Sequence, residues 1–357
     1  MKDVIIIGAG LTGLVLAYYL KNQGLNVLIV EGRKRSGGRI LTVKKDKVQV
    51  EMGATWMHTN HREVLSLLKN LGLNIFEQFM GESAFYEPMA NNPHQQVPLP
   101  LHQEPSFRIQ GGSSFLIESL LRQLDGTEFL YDCRVTSIIK EDHEIGIESN
   151  KGDFKAKLVV STLPPFLFHK TIETKPSLPD EVNNILTQTH TWMGESIKIA
   201  LSYPVAFWLK KPLSGTIFSN AGPVTEMYDH SNFKQDTFSL KGFVNPAYFS
   251  VSKKERLAHI IQQLQHYYGE VAKTYISYDE VLWKRESLTS YPYETTPFPH
   301  QNNGHQIYRS SFMNGRLFIA GTETASSFPG YMEGAIVSAK ETAQHIENYF
   351  TRTGFNS

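Results

Sequence analysis

The chain has 357 residues, 41% of them apolar and 20% charged, the balance of a globular protein with room for two domains or one elaborate one. Lys plus Arg and Asp plus Glu each count 35, so the formal net charge is zero and neither nucleic acid nor an anionic membrane surface is favoured as a partner. Cys133 is the single cysteine, which excludes an intramolecular disulfide and points to a reducing, cytoplasmic setting.

Apolar runs are of strand length and the first begins almost at Met1, so neither a transmembrane span nor a signal peptide is expected. Val4–Ile7 reads as a buried strand, Leu11–Lys21 as a helix closed by Gly24, and Val27–Val30 as the next strand, together a βαβ unit. The spacing of Leu65, Leu68 and Leu71 predicts a helix. Met80–Pro105 carries Pro88, Pro93, Pro98, Pro100 and Pro105 and reads as irregular structure crossing between domains.

Gly111-Gly112-Ser113-Ser114 opens a helix with Phe115, Leu116, Leu120 and Leu121 on its apolar side. Phe129–Ile139 and Glu144–Ile147 read as paired strands, and Leu158–Val160 as a third that ends at Thr162-Leu163-Pro164-Pro165. From Trp192 to Gly242 strand-like runs alternate with turns. Ser252 and Glu255 form a capping box ahead of an amphipathic helix through Leu257, Ile260, Ile261 and Leu264. Arg316–Ala320 is a strand and Met332–Phe350 the last helix.

Gly8-Ala9-Gly10-Leu11-Thr12-Gly13 sits between the first strand and the first helix, where glycines allow a tight turn, close approach of a pyrophosphate and close helix–strand packing. The helix N-terminus behind it offers unpaired N–H groups to phosphate. Glu31, 18 residues beyond Gly13, stands where a carboxylate accepts hydrogen bonds from ribose hydroxyls and disfavours a 2′-phosphate. Gly37-Gly38-Arg39 lets backbone lie along an extended dinucleotide, with Arg39 available to its charged diphosphate.

These blocks, followed in order by Glu51-Met52-Gly53-Ala54-Thr55-Trp56-Met57-His58, Gln110-Gly111-Gly112, Ser161–Pro165, Ile197-Lys198, Trp283, Gly321-Thr322-Glu323 and Pro329-Gly330-Tyr331-Met332-Glu333-Gly334-Ala335, resemble the flavin-containing amine oxidase family. The resemblance spans nearly the whole chain. It implies an α/β fold with a Rossmann-like FAD-binding domain of the amine oxidase/glutathione reductase type and a second α+β substrate domain built on a mixed sheet. The expected FAD domain is discontinuous, 1–78, 108–187 and 286–357, with 79–107 and 188–285 for substrate. FAD is expected at Gly8–Gly13, Glu31, Gly38, Arg39, Gly53–Trp56, Val135, Trp283, Gly321–Glu323, Tyr331 and Met332. No metal is expected.

The resemblance also implies roles. Lys198, in an otherwise apolar strand, would stand beside flavin N5 and hold a water, with burial depressing its pKa. Tyr331 would form one wall of an aromatic cage, and Met332 would point its backbone N–H at the flavin from a helix start. Counting ten residues on from Trp283 makes Tyr293 the second wall. Pro292 stands where animal monoamine oxidases carry the flavin-linking cysteine, so FAD is expected to be bound without a covalent bond. His58 is a candidate to take a proton from the substrate ammonium, with a structural role at a loop end as the alternative. Trp56 stands where amino-acid oxidases carry a carboxylate-binding arginine.

The reading is an enzyme that oxidises a primary or secondary amine, monoamine or polyamine, to an imine and then an aldehyde, with oxygen reduced to hydrogen peroxide and the protein a monomer or homodimer. The alternatives are a flavin desaturase or oxidase of polyisoprenoids or porphyrins, an L-amino-acid oxidase, and a non-catalytic flavoprotein scaffold. Only about fifty residues separate His58 from Gly111, where larger family members insert a helical section, so a more open cavity is expected.

Overall fold

The computed structural model describes residues 1–89, 93–100, 104–352 and 354. Two large sheets organise the chain. The first has eight strands in the order Glu128–Leu130, Val27–Val30, Lys2–Ile7, Phe154–Ser161, Ile145–Ser149, Val135–Lys140 and Glu173–Lys175, with Leu317–Ile319 paired beside Phe154–Ser161. Lys2–Ile7 runs parallel to both of its neighbours, and Val4, Ile5 and Ile6 have no exposed surface. A continuous β-branched run is what a strand covered on both faces requires.

The helices Leu11–Asn22 and Met332–Arg352 cover one face of this sheet. Leu14, Leu16, Leu20, Ile336 and Ile346 join Val4, Ile6 and Ile29 in a single apolar cluster there. The helix Arg62–Asn70 lacks a side-chain cap of its own. The buried Glu333 carboxylate accepts from Glu63 N (2.9 Å) and Val64 N (2.8 Å) instead, joining two helix starts through one acid.

The second sheet has seven strands, ordered Ser277–Leu282, Ile197–Tyr203, Phe238–Val244, Val224–Asp229, Ile217–Ser219, Ser83–Glu87 and Gln95–Pro98. Ile197, Ile199 and Leu201 pack with Ile260, Ile261 and Leu264 of the helix Lys253–Tyr268, whose predicted capping box is present. The alternate residues Lys198 and Ala200 therefore face the other way, toward Val50 and Met52.

Two sequence expectations change here. Met80–Pro105 is not irregular throughout: Ser83–Glu87 and Gln95–Pro98 form an antiparallel hairpin on the edge of the second sheet. Its prolines are compatible with that because Pro98 ends the edge strand and Pro88 lies just past the end of its neighbour. Phe129–Ile139 is two strands, one parallel to Val27–Val30 and one antiparallel to Ile145–Ser149. Positions 90–92 and 101–103 of the proline-rich segment, and 353 and 355–357 of the tail, lie outside the described residues. Among the described residues, no helix is long and apolar enough to cross a membrane.

Candidate active site

A cavity of about 640 Å³ lies between the two sheets. At one end it is lined by Gly8, Gly10, Glu31, Arg33 and Val135; at the other by Lys198, Phe243, Trp192 and Tyr331. Leu11, Thr12, Gly38, Arg39, Ala54, Thr55, Trp56, Trp283, Thr322 and Met332 line it between or beside these ends. Most of the sequence-predicted site residues thus meet in one space. Ala9, Gly13, Gly53, Gly321 and Glu323 are not among the lining residues, although Gly53 and Glu323 hydrogen-bond the lining residues Lys198 and Arg39.

The glycine turn is held from several sides. Ala9 N donates to Glu31 Oε2 (2.8 Å), Arg33 N donates to Glu31 Oε1 (2.8 Å), and Thr162 Oγ1 donates to Ile7 O (2.9 Å). A Cβ on Gly13 would lie 2.0 Å from Gly8 O, so this position admits glycine alone if the helix is to start here. A Cβ on Gly10 would meet no protein atom within 4 Å although Gly10 lines the cavity. The turn therefore keeps a cradle open, which is what a passing diphosphate needs.

Cys133 is buried at this end, its N–H donating to Glu31 O (2.9 Å) and its thiol to Ser149 Oγ (3.3 Å). It therefore belongs to the Glu31 end of the cavity rather than to the Lys198 end.

Arg39 has partners within the protein. Its guanidinium forms a two-point pair with the fully buried Glu323, one arm at 2.8 Å, and Nη1 also donates to Trp192 O (3.1 Å). Burial opposes the charge, but Glu323 prevails and holds the arginine above its ordinary pKa. Arg39 nevertheless lines the cavity, with its Nε–H and one Nη2 N–H outside these bonds.

At the other end, Lys198 is buried and its Nζ donates to Gly53 O (2.8 Å), with the Phe243 ring centroid 5.3 Å away. Burial pushes its pKa down to about 8, against the pull of the Glu51 carboxylate. Lys198 is opposite Phe243 in the antiparallel ladder, and Ala200 is opposite Lys241, so all four share the cavity-side face.

Lys241 was missed in the sequence. It is fully buried, its Nζ donates to Thr55 Oγ1, and it lies 4.5 Å from the Trp56 ring centroid. Burial and then the neighbouring Lys198 hold it well below the usual ammonium range. The signal was available: a lysine inside Leu240-Lys241-Gly242-Phe243-Val244 is the pattern that singled out Lys198.

Tyr331 stands at the mouth with 42% of its surface exposed, ahead of the helix that starts at Met332. As the first helical residue, Met332 has no intrahelical acceptor for its N–H. Trp283 is a largely buried part of the cavity wall, its indole donating to Met52 O (3.0 Å).

Tyr293 is a correction, because it does not line the cavity. Its hydroxyl donates to Thr189 O and accepts from Thr191 N, each at 2.9 Å, and its ring stacks on Phe166 at 4.0 Å. Hydrogen bonding and stacking together turn it into the protein. Trp192, to which nothing in the sequence drew attention, does line the cavity, its ring centroid 6.0 Å from that of Tyr331.

His58 lines the cavity, and His61, which was also missed, lies beside it with ring centroids 5.4 Å apart. His61 Nδ1 accepts from His58 N (3.3 Å), so the neutral ring carries its proton on Nε2. Burial, then His58, lowers its pKa. Trp56 turns its indole N–H to Gln78 Oε1 (2.9 Å). No arginine takes its place on the cavity wall there.

A sequence profile of the family described as flavin containing amine oxidoreductase matches residues 11–95 and 94–347. A probable flavin-containing monoamine oxidase A of Dictyostelium discoideum is 24% identical over 452 aligned positions, covering 98% of each chain. The human flavin-containing amine oxidase B is 23% identical, covering 96% of this chain and 86% of its own. Among solved structures, cyclohexylamine oxidase from Brevibacterium oxydans superposes with a TM-score of 0.86 at 19% identity, covering 98% of this chain and 99% of that one. Putrescine oxidase bound to putrescine superposes at 0.85 with 21% identity, covering 97% and 99%. An alignment of 452 positions for a chain of 357 residues means that the relative carries a long stretch without counterpart here. The profile match changes segment at 94–95, at the hairpin Ser83–Pro98.

Proposed function

The chain belongs to the family of flavin-containing amine oxidoreductases, with FAD as its cofactor, and from that premise we propose that it oxidises a small primary or secondary amine, monoamine or polyamine, using oxygen as acceptor. The observation that carries this reading is the single cavity, which joins a glycine cradle at one end to a buried lysine and an aromatic mouth at the other. Bound FAD would supply the chemistry, taking a hydride from the amine α-carbon and passing the electrons on to oxygen with release of hydrogen peroxide.

The chain's own residues do the rest. The N–H groups at the start of Leu11–Asn22 meet the diphosphate over Gly10, and Glu31 accepts from ribose hydroxyls with its remaining lone pairs. The N–H of Met332 and the positive end of its helix favour negative charge at the flavin edge. Lys198 presents a proton donor whose charge is weakly held near neutral pH, and so can hold a water or receive developing charge.

Tyr331 offers a ring face to the amine. Among the two histidines, His58 is the one left to take a proton from the incoming ammonium, since the acceptor nitrogen of His61 is occupied by His58 N–H. FAD is held without a covalent bond, because the single cysteine lies at the Glu31 end of the cavity.

The test uses purified FAD-loaded protein with benzylamine, cyclohexylamine and putrescine without oxygen. Bleaching of the flavin band, followed by peroxide on admission of air, is expected. A panel of amines that never bleaches the flavin sinks the reading.

A further inference from the structure

We propose that Trp192 forms the second aromatic wall at the amine end of the cavity, in the position that counting from Trp283 assigns to Tyr293. The proposal rests on the amine-oxidation reading. An amine entering past Tyr331 needs a second polarisable surface, because one ring face leaves the other side of the nitrogen and its alkyl groups to water. Tyr293 offers none. Its ring lies on Phe166, and its hydroxyl is engaged by Thr189 and Thr191.

Trp192 lines the cavity beside Tyr331, with ring centroids 6.0 Å apart and planes inclined by 38°. The approach is built in. Gly330, just ahead of Tyr331, has no side chain where a Cβ would lie 2.8 Å from Trp192 Cβ, so the tyrosine loop rests directly against the tryptophan.

The position of Trp192 is fixed from three sides. Its N–H donates to Glu323 Oε1 (3.2 Å), and its carbonyl accepts from Arg39 Nη1 (3.1 Å). The buried Arg39–Glu323 pair thus grips both ends of one residue's backbone. His300 stacks on the indole at 4.0 Å, with planes 25° apart. Arg39 and Glu323 are by this argument positioning residues for an aromatic wall.

The test titrates FAD-loaded protein with 2-phenylpropan-2-amine, whose α-carbon bears no hydrogen, so that it binds without turning over. Binding is read as heat and as a shift of the flavin spectrum. Trp192→Leu is expected to bind the probe about tenfold more weakly, the size that a desolvated cation–π contact supports. Trp192→Phe should stay within about threefold of the parent, and Tyr293→Phe within about twofold, since a ring is kept in each.

A Trp192→Leu protein that binds the probe as the parent does overturns the proposal, whether or not Tyr293→Leu then weakens binding. Should Trp192→Leu fail to hold FAD, Trp192→Met, which fills more of the space without a ring, decides: probe binding about tenfold weaker supports the wall, and an unchanged affinity overturns it. Anaerobic bleaching by benzylamine is run alongside. Its absence sinks the amine reading, while bleaching with probe affinity indifferent to Trp192 sinks the wall alone.

Discussion

The cavity is built around a backbone turn at its Glu31 end and from side chains at its Lys198 end. The first is made from the turn Gly8–Gly13 and from Glu31, just past the strand Val27–Val30, which lie within one βαβ unit. The second is assembled from Trp56, Trp192, Lys198, Phe243 and Tyr331, which sit on five separate segments. The difference sets what each end tolerates. A backbone cradle fails when any side chain is added, whereas a side-chain site can keep its shape while its chemistry changes.

The largest effect should come from breaking the cradle where it has no slack. Gly13→Ala puts a methyl 2.0 Å from Gly8 O, and backbone cannot yield that far without parting helix from strand. Loss of FAD on gel filtration and a fall in stability of about 3 kcal/mol or more are expected. Gly10→Ala sharpens the contrast. Its methyl meets no protein atom, so the fold should be kept, as read by the thermal transition, while flavin affinity falls.

Next in size is Lys198→Met, which leaves the shape of the amine end and removes its proton donor. Anaerobic flavin reduction or its reoxidation is expected to slow by roughly a hundredfold, as for the loss of one preorganised donor. The same substitution has a pH signature. Burial pushes the Lys198 pKa down to about 8 in the fold, against about 10.5 for an exposed lysine, so the unfolded chain binds the proton more tightly. Parent stability should therefore rise with pH between about 8 and about 10.5 and carry its full penalty below 8. Lys198→Met removes that slope. A thermal transition whose pH dependence is the same in both proteins would exclude the depressed pKa.

The glycine turn and the fold around it were legible because their signals are local. Gly8, Gly13 and Glu31 lie in one unit with its own strand and helix, so spacing alone carries the argument. Lys198 was legible because an apolar strand advertises a buried lysine. Lys241 obeys the same rule and was passed over because no motif order pointed to it, although strand register sets it on the same face. Tyr293 shows where counting fails. The chain there turns the ring onto Phe166, and Trp192 lines the cavity from a loop more than a hundred residues away in sequence. Nothing local in Thr191-Trp192-Met193 could have revealed that. The hairpin within Met80–Pro105 was hidden for a third reason: prolines read as breakers are tolerated on an edge.

A smaller effect is expected at Glu31. In Glu31→Gln one carboxylate oxygen becomes an NH2 facing the N–H of Ala9 or Arg33, a donor set against a donor. About 1–3 kcal/mol of stability should be lost, with FAD bound about tenfold more weakly. Equal FAD affinity in the two proteins would place the ribose contact elsewhere.

The smallest effect, and the one that separates structure from chemistry at the amine end, is that of Lys241→Met. Lys241 has no carboxylate in salt-bridge reach among the described residues, and its amine is held by Thr55 and the Trp56 ring. Burying such a group costs stability at every pH at which its proton would be bound in water, while a methionine of similar length keeps the contact with the indole. The variant should therefore melt a few degrees higher at neutral pH, a gain of about 1 kcal/mol. A lower transition would mean that the hydrogen bond to Thr55, which also donates to Gly53 O beneath Lys198, outweighs the cost of burial. In that case Lys241 is part of what holds the Lys198 acceptor in place, and Thr55→Val should reproduce the loss.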